Sequence, residues 1–222
     1  VAVGRYAAEE FLGEHAVFIG YHAGKEHQYG QWNVGIGAES NGGASPSLAS
    51  GASNVAVGKD AGNAVTTGTN NTLIGSLAGA AITTGGSNVA IGYQALMTED
   101  AHGLNTAIGY QALKTLNAGA EAYNTAVGYQ AGLSITNGTQ NTLIGGLSGD
   151  ALIDGDRNVA IGYQSLTGDT KGDRNVAIGY ATLATQNFTS ATSAYNVAVG
   201  YNTGNDITTG VENTLIGGLA GD

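Results

Sequence analysis

Apolar and polar positions along this chain follow a short block, Asn-Val/Thr-Ala-Val/Ile-Gly, in which Leu or Gly sometimes takes the Ala place. It starts at Asn33, Asn54, Asn71, Asn88, Asn105, Asn124, Asn141, Asn158, Asn175, Asn196 and Asn213. Seven of the ten intervals are 17 residues, one is 19 and two are 21, so a fixed unit tolerates short insertions. Two degenerate copies, Val1–Gly4 and Val17–Gly20, precede them and bring the total to 13. A recurring unit of this length is one coil of a solenoid.

Seventeen residues are too few for a helix pair with its turns, and a core of Val, Ile, Thr and Ala bounded by Gly is strand composition. The residue before Gly is Val or Ile in every coil, including Ile74, Ile91, Ile108, Ile144, Ile161, Ile178 and Ile216. Side chains two apart share a strand face, so the Val or Thr two residues earlier joins this ladder. The intervening residue points the other way and is never charged. Both faces are therefore expected to be buried, and Ile108→Asp or Ile161→Asp would bury an unpaired carboxylate. A single solenoid needs one buried face per strand, so the second asks for identical strands of neighbouring chains or for the opposite wall of a wide coil. The reading adopted is all-β, a parallel β-solenoid of about 13 coils forming one domain over residues 1–222, self-associating about an axis.

The closing Gly, and a second Gly three residues before the next Asn (Gly30, Gly51, Gly68, Gly85, Gly138, Gly155, Gly172, Gly210), fit two corners with positive φ. The Asn itself is expected in the left-handed region, with equivalent residues stacked about 4.8 Å apart as an amide ladder. This assigns Asn54 through Asn213 a structural role.

A longer rhythm of four coils overlies the short one. Where Leu73, Leu143 and Leu215 enlarge the strand, the Tyr that usually follows Gly shrinks to Ser76, Gly146 and Gly218, which reads as compensation. Insertions within 38–53, 114–123 and 181–195 should share one edge, spaced roughly 19 Å apart at about 4.8 Å per coil.

Composition adds exclusions. Cysteine is absent, which removes disulfide and thiolate-metal chemistry, and Pro46 lies in the first insertion, where it interrupts no ladder. A formal charge of −10 with seven scattered Lys and Arg argues against nucleic acid and anionic membranes, and no apolar run suits membrane insertion. No nucleophile elbow, zinc-protease or phosphate-loop motif occurs, so the reading is non-enzymatic and without cofactor. His15, His22, His27 and His102 are read as solvated surface. Asp154, Asp156, Asp169 and Asp173 cluster on neighbouring coils, but the repeat of calcium β-rolls is missing, and no metal site is assigned. Asn70, Asn137 and Asn187 open N-glycosylation patterns of the kind an Asn- and Thr-rich chain produces by chance.

The repeats Asn88-Val-Ala-Ile-Gly-Tyr-Gln-Ala-Leu96, Asn105-Thr-Ala-Ile-Gly-Tyr-Gln-Ala-Leu113 and Asn124-Thr-Ala-Val-Gly-Tyr-Gln-Ala-Gly132 resemble the head repeats of YadA-like trimeric autotransporter adhesins. They are still more similar to arrays in phage tail-fibre-like and bacterial surface proteins. The resemblance covers essentially the whole chain. It implies a left-handed parallel β-roll, a homotrimer with inner strands around the axis, and a role in gripping a surface. The coil here is longer than the adhesin-head repeat, and the four-coil rhythm is an addition.

The expectation is an extracellular structural and adhesive segment of a longer fibrous protein, on a virion or bacterial cell, with attachment and trimer nucleation elsewhere in that protein. A polysaccharide-degrading solenoid enzyme is the alternative; it normally needs paired acids in a groove. Recognition of a cell-surface glycan or protein receptor is expected at Trp32, Tyr123 and Tyr195, which precede the block Asn on the variable corner and suit sugar stacking.

Overall fold

The computed structural model describes residues 1–25, 28–41 and 50–222. It falls into two compact units, Val1–Tyr110 and Gln111–Asp222. Unit 1 stacks seven strands: β1 (Ala2–Val3), β2 (Val17–Ile19), β3 (Val34–Ile36), β4 (Val55–Val57), β5 (Thr72–Ile74), β6 (Val89–Ile91) and β7 (Thr106–Ile108). Unit 2 stacks β8 (Thr125–Val127), β9 (Thr142–Ile144), β10 (Val159–Ile161), β12 (Val176–Ile178), β14 (Val197–Val199) and β15 (Thr214–Ile216). In each unit successive strands pair in parallel, one coil apart and in register, as in Thr72↔Val89 and Thr142↔Val159. No helix occurs among the described residues, and the architecture is an all-β parallel solenoid.

Every block strand after β1 has three residues because the coil must turn at both ends of the block, and the two turns have different causes. The closing glycines hold φ between 121° and 145°, and a Cβ on Gly92 would sit 2.3 Å from the carbonyl oxygen of Gly109 in the next coil. At the other end, the left-handed residue is the one before the block Asn. Trp32, Ser53, Leu104, Tyr123, Arg157 and Tyr195 all lie between 51° and 63°, whereas no block Asn has positive φ. This corrects the expectation that Asn makes the corner. The Asn side chain must point inward to form its ladder, so the chain reverses one residue earlier.

The second glycine also departs from expectation: Gly51, Gly68, Gly138 and Gly155 do not have positive φ. They are required for space, since a Cβ on Gly68 would lie 2.4 Å from the carbonyl oxygen of Gly85. The freed approach lets the Gly carbonyl accept from the Asn amide of its own coil, as in Asn54 Nδ2 to Gly68 O at 2.8 Å.

The Asn ladder itself forms. Asn158 donates from its backbone N–H and its Nδ2 to Asn141 Oδ1 at 2.9 and 3.2 Å, and accepts the same pair from Asn175 at 2.9 and 3.1 Å. The block Asn side chains from Asn33 to Asn196 are buried, so each amide satisfies backbone groups that water does not reach.

Only one strand face is buried within the chain. The middle residues, among them Ala56, Leu73, Ala90, Ala107, Ala126, Leu143, Ala160, Ala177 and Ala198, are fully buried and line the coil interior. The Ile/Val ladder faces outward: Ile36, Ile74 and Ile144 are 37 to 39% exposed, and Ile91, Ile108, Ile161 and Ile178 are half-buried. The expectation of two buried faces thus holds for the middle residue alone. A 17-residue coil is too narrow to enclose both.

Interior volume is balanced by Leu against Gly, not by Leu against Tyr. In some coils whose strand offers only Ala, such as those of Ala90, Ala160 and Ala177, a left-handed Leu fills the interior: Leu96, Leu166 and Leu183 have φ of 51° to 55° and are fully buried. Where the strand offers Leu73, the corresponding place is Gly79, and Leu73 also reaches Gly62 of the preceding coil; its methyl carbons lie 2.7 Å from the Cβ position at each. The Tyr position lies outside this core, with Tyr93, Tyr163 and Tyr201 exposed.

The insertion within 181–195 is anchored, not loose. It carries β13 (Thr192–Ser193), which pairs in parallel with β11 (Gly172–Asp173) as a second, two-stranded sheet. Phe188 is buried beside Gly172, and its N–H donates to Asp169 Oδ1 at 3.1 Å. Half of the first insertion, residues 42–49 with Pro46, lies outside the described residues.

Candidate functional site

Two surfaces hold the residues that could meet another molecule. The first is the outward strand face. The Tyr that follows the closing Gly stands exposed at the turn that ends the strand. In unit 1, Tyr93 and Tyr110 stack with ring centroids 5.4 Å apart. In unit 2, Tyr163, Tyr180 and Tyr201 form a run with successive separations of 5.7 and 5.3 Å. The coil repeat fixes these stacks, since in-register parallel pairing sets each ring above its equivalent. Each unit thus carries an outward ladder of Val/Thr and Ile/Val with Tyr at the turn beside it, interrupted at the Tyr place by Lys59 and Ser76 in unit 1 and by Gly146 and Gly218 in unit 2.

The second surface is the corner before each block Asn. Trp32, Tyr123 and Tyr195 stand there at 59, 54 and 51% exposure. Their left-handed backbone throws the side chain outward while the following Asn turns in. In unit 1, Trp32 stacks on His15, with centroids 6.4 Å apart. In unit 2, Tyr123, Gln140, Arg157, Arg174, Tyr195 and Glu212 occupy one column, and the N–H groups of Gln140, Arg157, Arg174 and Glu212 bond to the coil before, as in Gln140 N to Ala122 O at 2.7 Å and Arg174 N to Asp156 O at 3.0 Å. Tyr123 and Tyr195 are therefore four coil steps apart, roughly 19 Å at about 4.8 Å per step, and do not form one aromatic pair.

The two arginines between them were not singled out from sequence. Arg174 lies over the Tyr195 ring at 5.5 Å and donates to Ser193 Oγ. Arg157 and Arg174 stand 3.8 and 3.9 Å from Asp156 and Asp173, too far for tight pairing. The column thus offers aromatic faces, guanidinium donors and carboxylate acceptors side by side, a combination able to hold polyols. The signal was present in sequence, since all four residues occupy the position before Asn.

The acidic cluster of unit 2 does not converge on a cation. Asp156 Oδ1 accepts from Thr139 N–H and Oγ1 at 2.7 and 2.9 Å, and Asp173 Oδ1 accepts from Asp156 N–H at 2.8 Å. Asp154 accepts from Asn137 at 3.1 Å and pairs with Lys171 at 3.3 Å; the Asn137 hydrogen bond is the main cause that holds its carboxyl below the usual range, burial opposes it, and the Lys171 contact adds to the lowering. Asp169 is fully buried and accepts from Gln186 Nε2 at 2.6 Å and from the N–H groups of Gly172 and Phe188. Asp150 runs the other way: partial burial pushes its carboxyl up, opposed by a hydrogen bond from Thr167.

Among the described residues, one group of His, Asp and Glu brings its ligand atoms within 4.8 Å of one another: Glu99, Asp100 and His102. His15 and His22 instead lie beside Trp32 and Tyr21, and His27 is outside the described residues. No helix is long and apolar enough to cross a membrane among the described residues. No family model, curated protein or solved structure matches this chain.

Proposed function

We propose that this chain is a structural and adhesive segment of an extracellular fibre, on a virion or bacterial surface, assembled as a parallel homotrimer and presenting its variable corner to a cell-surface glycan or protein. The observation that carries the reading is the outward stripe. Its Ile/Val ladder is half-buried to exposed and its stacked tyrosines are exposed, on a chain whose interior is already filled by Ala, Leu and Asn. An apolar surface repeated coil after coil in register matches an identical copy better than any partner lacking that period. Burying the stripes around an axis leaves the corner columns on the outside, where Trp32, Tyr123 and Tyr195 would meet a receptor, and repetition gives weak sites avidity.

The unit 2 carboxylates support this reading over a polysaccharide-cleaving one, because Asp154, Asp156, Asp169 and Asp173 are each engaged by their own chain. Glycan-array binding by the parent and by a Trp32→Ala/Tyr123→Ala/Tyr195→Ala variant tests the adhesive part. Binding that the parent shows and the variant loses is expected; equal binding by both, or none by either, assigns the segment to spacing alone.

A further inference from the structure

We propose that Glu99, Asp100 and His102 form a binding site for a divalent transition-metal cation, Zn²⁺ foremost. The position has an internal control. Glu99 stands 11 residues after Asn88, and Asp169 stands 11 residues after Asn158, so the two buried acids are equivalents in their units. Around Asp169 the carboxylate is held by Gln186 Nε2 and by backbone N–H groups, one of them from Gly172. Gly172 is the equivalent of His102. Unit 1 thus places an imidazole where unit 2 has no side chain.

The imidazole is not there as a hydrogen-bond donor to its neighbour. His102 Nδ1 is buried without a hydrogen-bond partner, although Glu99 Oε1 lies only 3.5 Å away. That separation is close to the roughly 3.3 Å edge expected between an N and an O ligand on tetrahedral zinc, whose bonds are about 2.0–2.1 Å long. Asp100, exposed beside them, supplies a third ligand and leaves the fourth place to water.

The turn carrying these groups is fixed before any cation arrives. The Asp100 carbonyl accepts Thr83 N–H and Oγ1 at 2.6 and 3.0 Å, the Ala101 carbonyl accepts Thr84 Oγ1 at 3.3 Å, and the His102 carbonyl accepts Asn88 Nδ2 at 3.2 Å. The His102 N–H donates to Glu99 Oε1 at 3.1 Å and orients that carboxylate. Two carboxylates and a neutral imidazole suit zinc, cobalt or nickel better than calcium, which prefers six or more oxygens. A bound cation would neutralise the buried Glu99 and pin this corner of the coil.

The test uses the whole chain after chelator treatment, titrated with Co²⁺ followed by visible absorption and with Zn²⁺ followed by calorimetry, beside His102→Ala, Asp100→Asn and His15→Ala. The parent should take one equivalent, with Co²⁺ bands of low-symmetry coordination. Losing a direct ligand should cost at least as much as losing an outer-shell partner, so affinity should fall by roughly tenfold or more in His102→Ala and Asp100→Asn, while His15→Ala binds as the parent does. Zn²⁺ should raise the melting temperature of the parent and not of His102→Ala. Absence of binding at millimolar cation, or equal binding by the parent and the exposed, fold-neutral Asp100→Asn together with His102→Ala, overturns the assignment.

Discussion

Leu143 occupies the space that a side chain on Gly132 would need: its Cδ1 lies 2.8 Å from the Cβ position of that glycine, one coil earlier. Its other methyl stands 2.9 Å from the Cβ position of Gly149 in its own coil. One Leu therefore fills two vacancies: in unit 2 the coils of Ala126 and Leu143 share Leu143, and those of Ala160 and Ala177 each carry a left-handed Leu of their own, Leu166 and Leu183. Leu143→Ala should destabilise unit 2 by about 2–5 kcal/mol, as core truncations of Leu do. Gly149→Leu alone should also destabilise through overpacking. The double variant recreates the arrangement of Ala160 with Leu166 and should lose less than the sum of the two single changes in denaturant titration.

The amide ladder makes a separate prediction. Asn158→Ala removes the partners of Gly172 O and of both Asn175 donors. Each buried group left unpaired costs about 1–3 kcal/mol. Thermal unfolding of this variant should show a larger loss than Asn137→Ala, since Asn137 is exposed.

Acid titration should separate two aspartates of unit 2. The Asp154 carboxyl is lowered, so its contribution is present above the unfolded value near 3.8 and is lost as pH falls through the folded value. Asp150 is raised, so its effect has the opposite sign: stability is greater when it is protonated and declines as pH rises through its folded value. Melting temperatures from pH 2 to 7 should show a shallower acid-side loss in Asp154→Asn and a steeper one in Asp150→Asn.

Coil length, strand position and the Asn ladder were legible because each depends on residues that repeat at one spacing. Four features were not. The left-handed corner was expected at Asn, whose side chain is instead committed to the interior, so Trp32 or Tyr195 takes the strained backbone. The outward aim of Ile108 and Ile161 was hidden because an apolar residue on either face reads alike. The need for Gly79 and Gly149 depends on Leu73 and Leu143 filling their Cβ positions, a contact that local sequence does not carry. The burial of Glu99 and Asp169 comes from the stacking of coils, which the local sequence does not carry.

The outward face also sets what Ile108→Asp and Ile161→Asp should do. In an isolated chain either carboxylate would stand half in water and cost little, so far-UV circular dichroism should remain that of the parent. In an assembled fibre the same carboxylate would be buried unpaired at every subunit. Assembly should fail while the solenoid persists.

Light scattering on the parent tests the central claim most directly. Association through the Ile/Val and Tyr stripes predicts a mass three times 22.1 kDa, falling to a single chain in Ile161→Asp. A stable, folded parent of one chain mass, or a trimer that Ile161→Asp leaves intact, would contradict it.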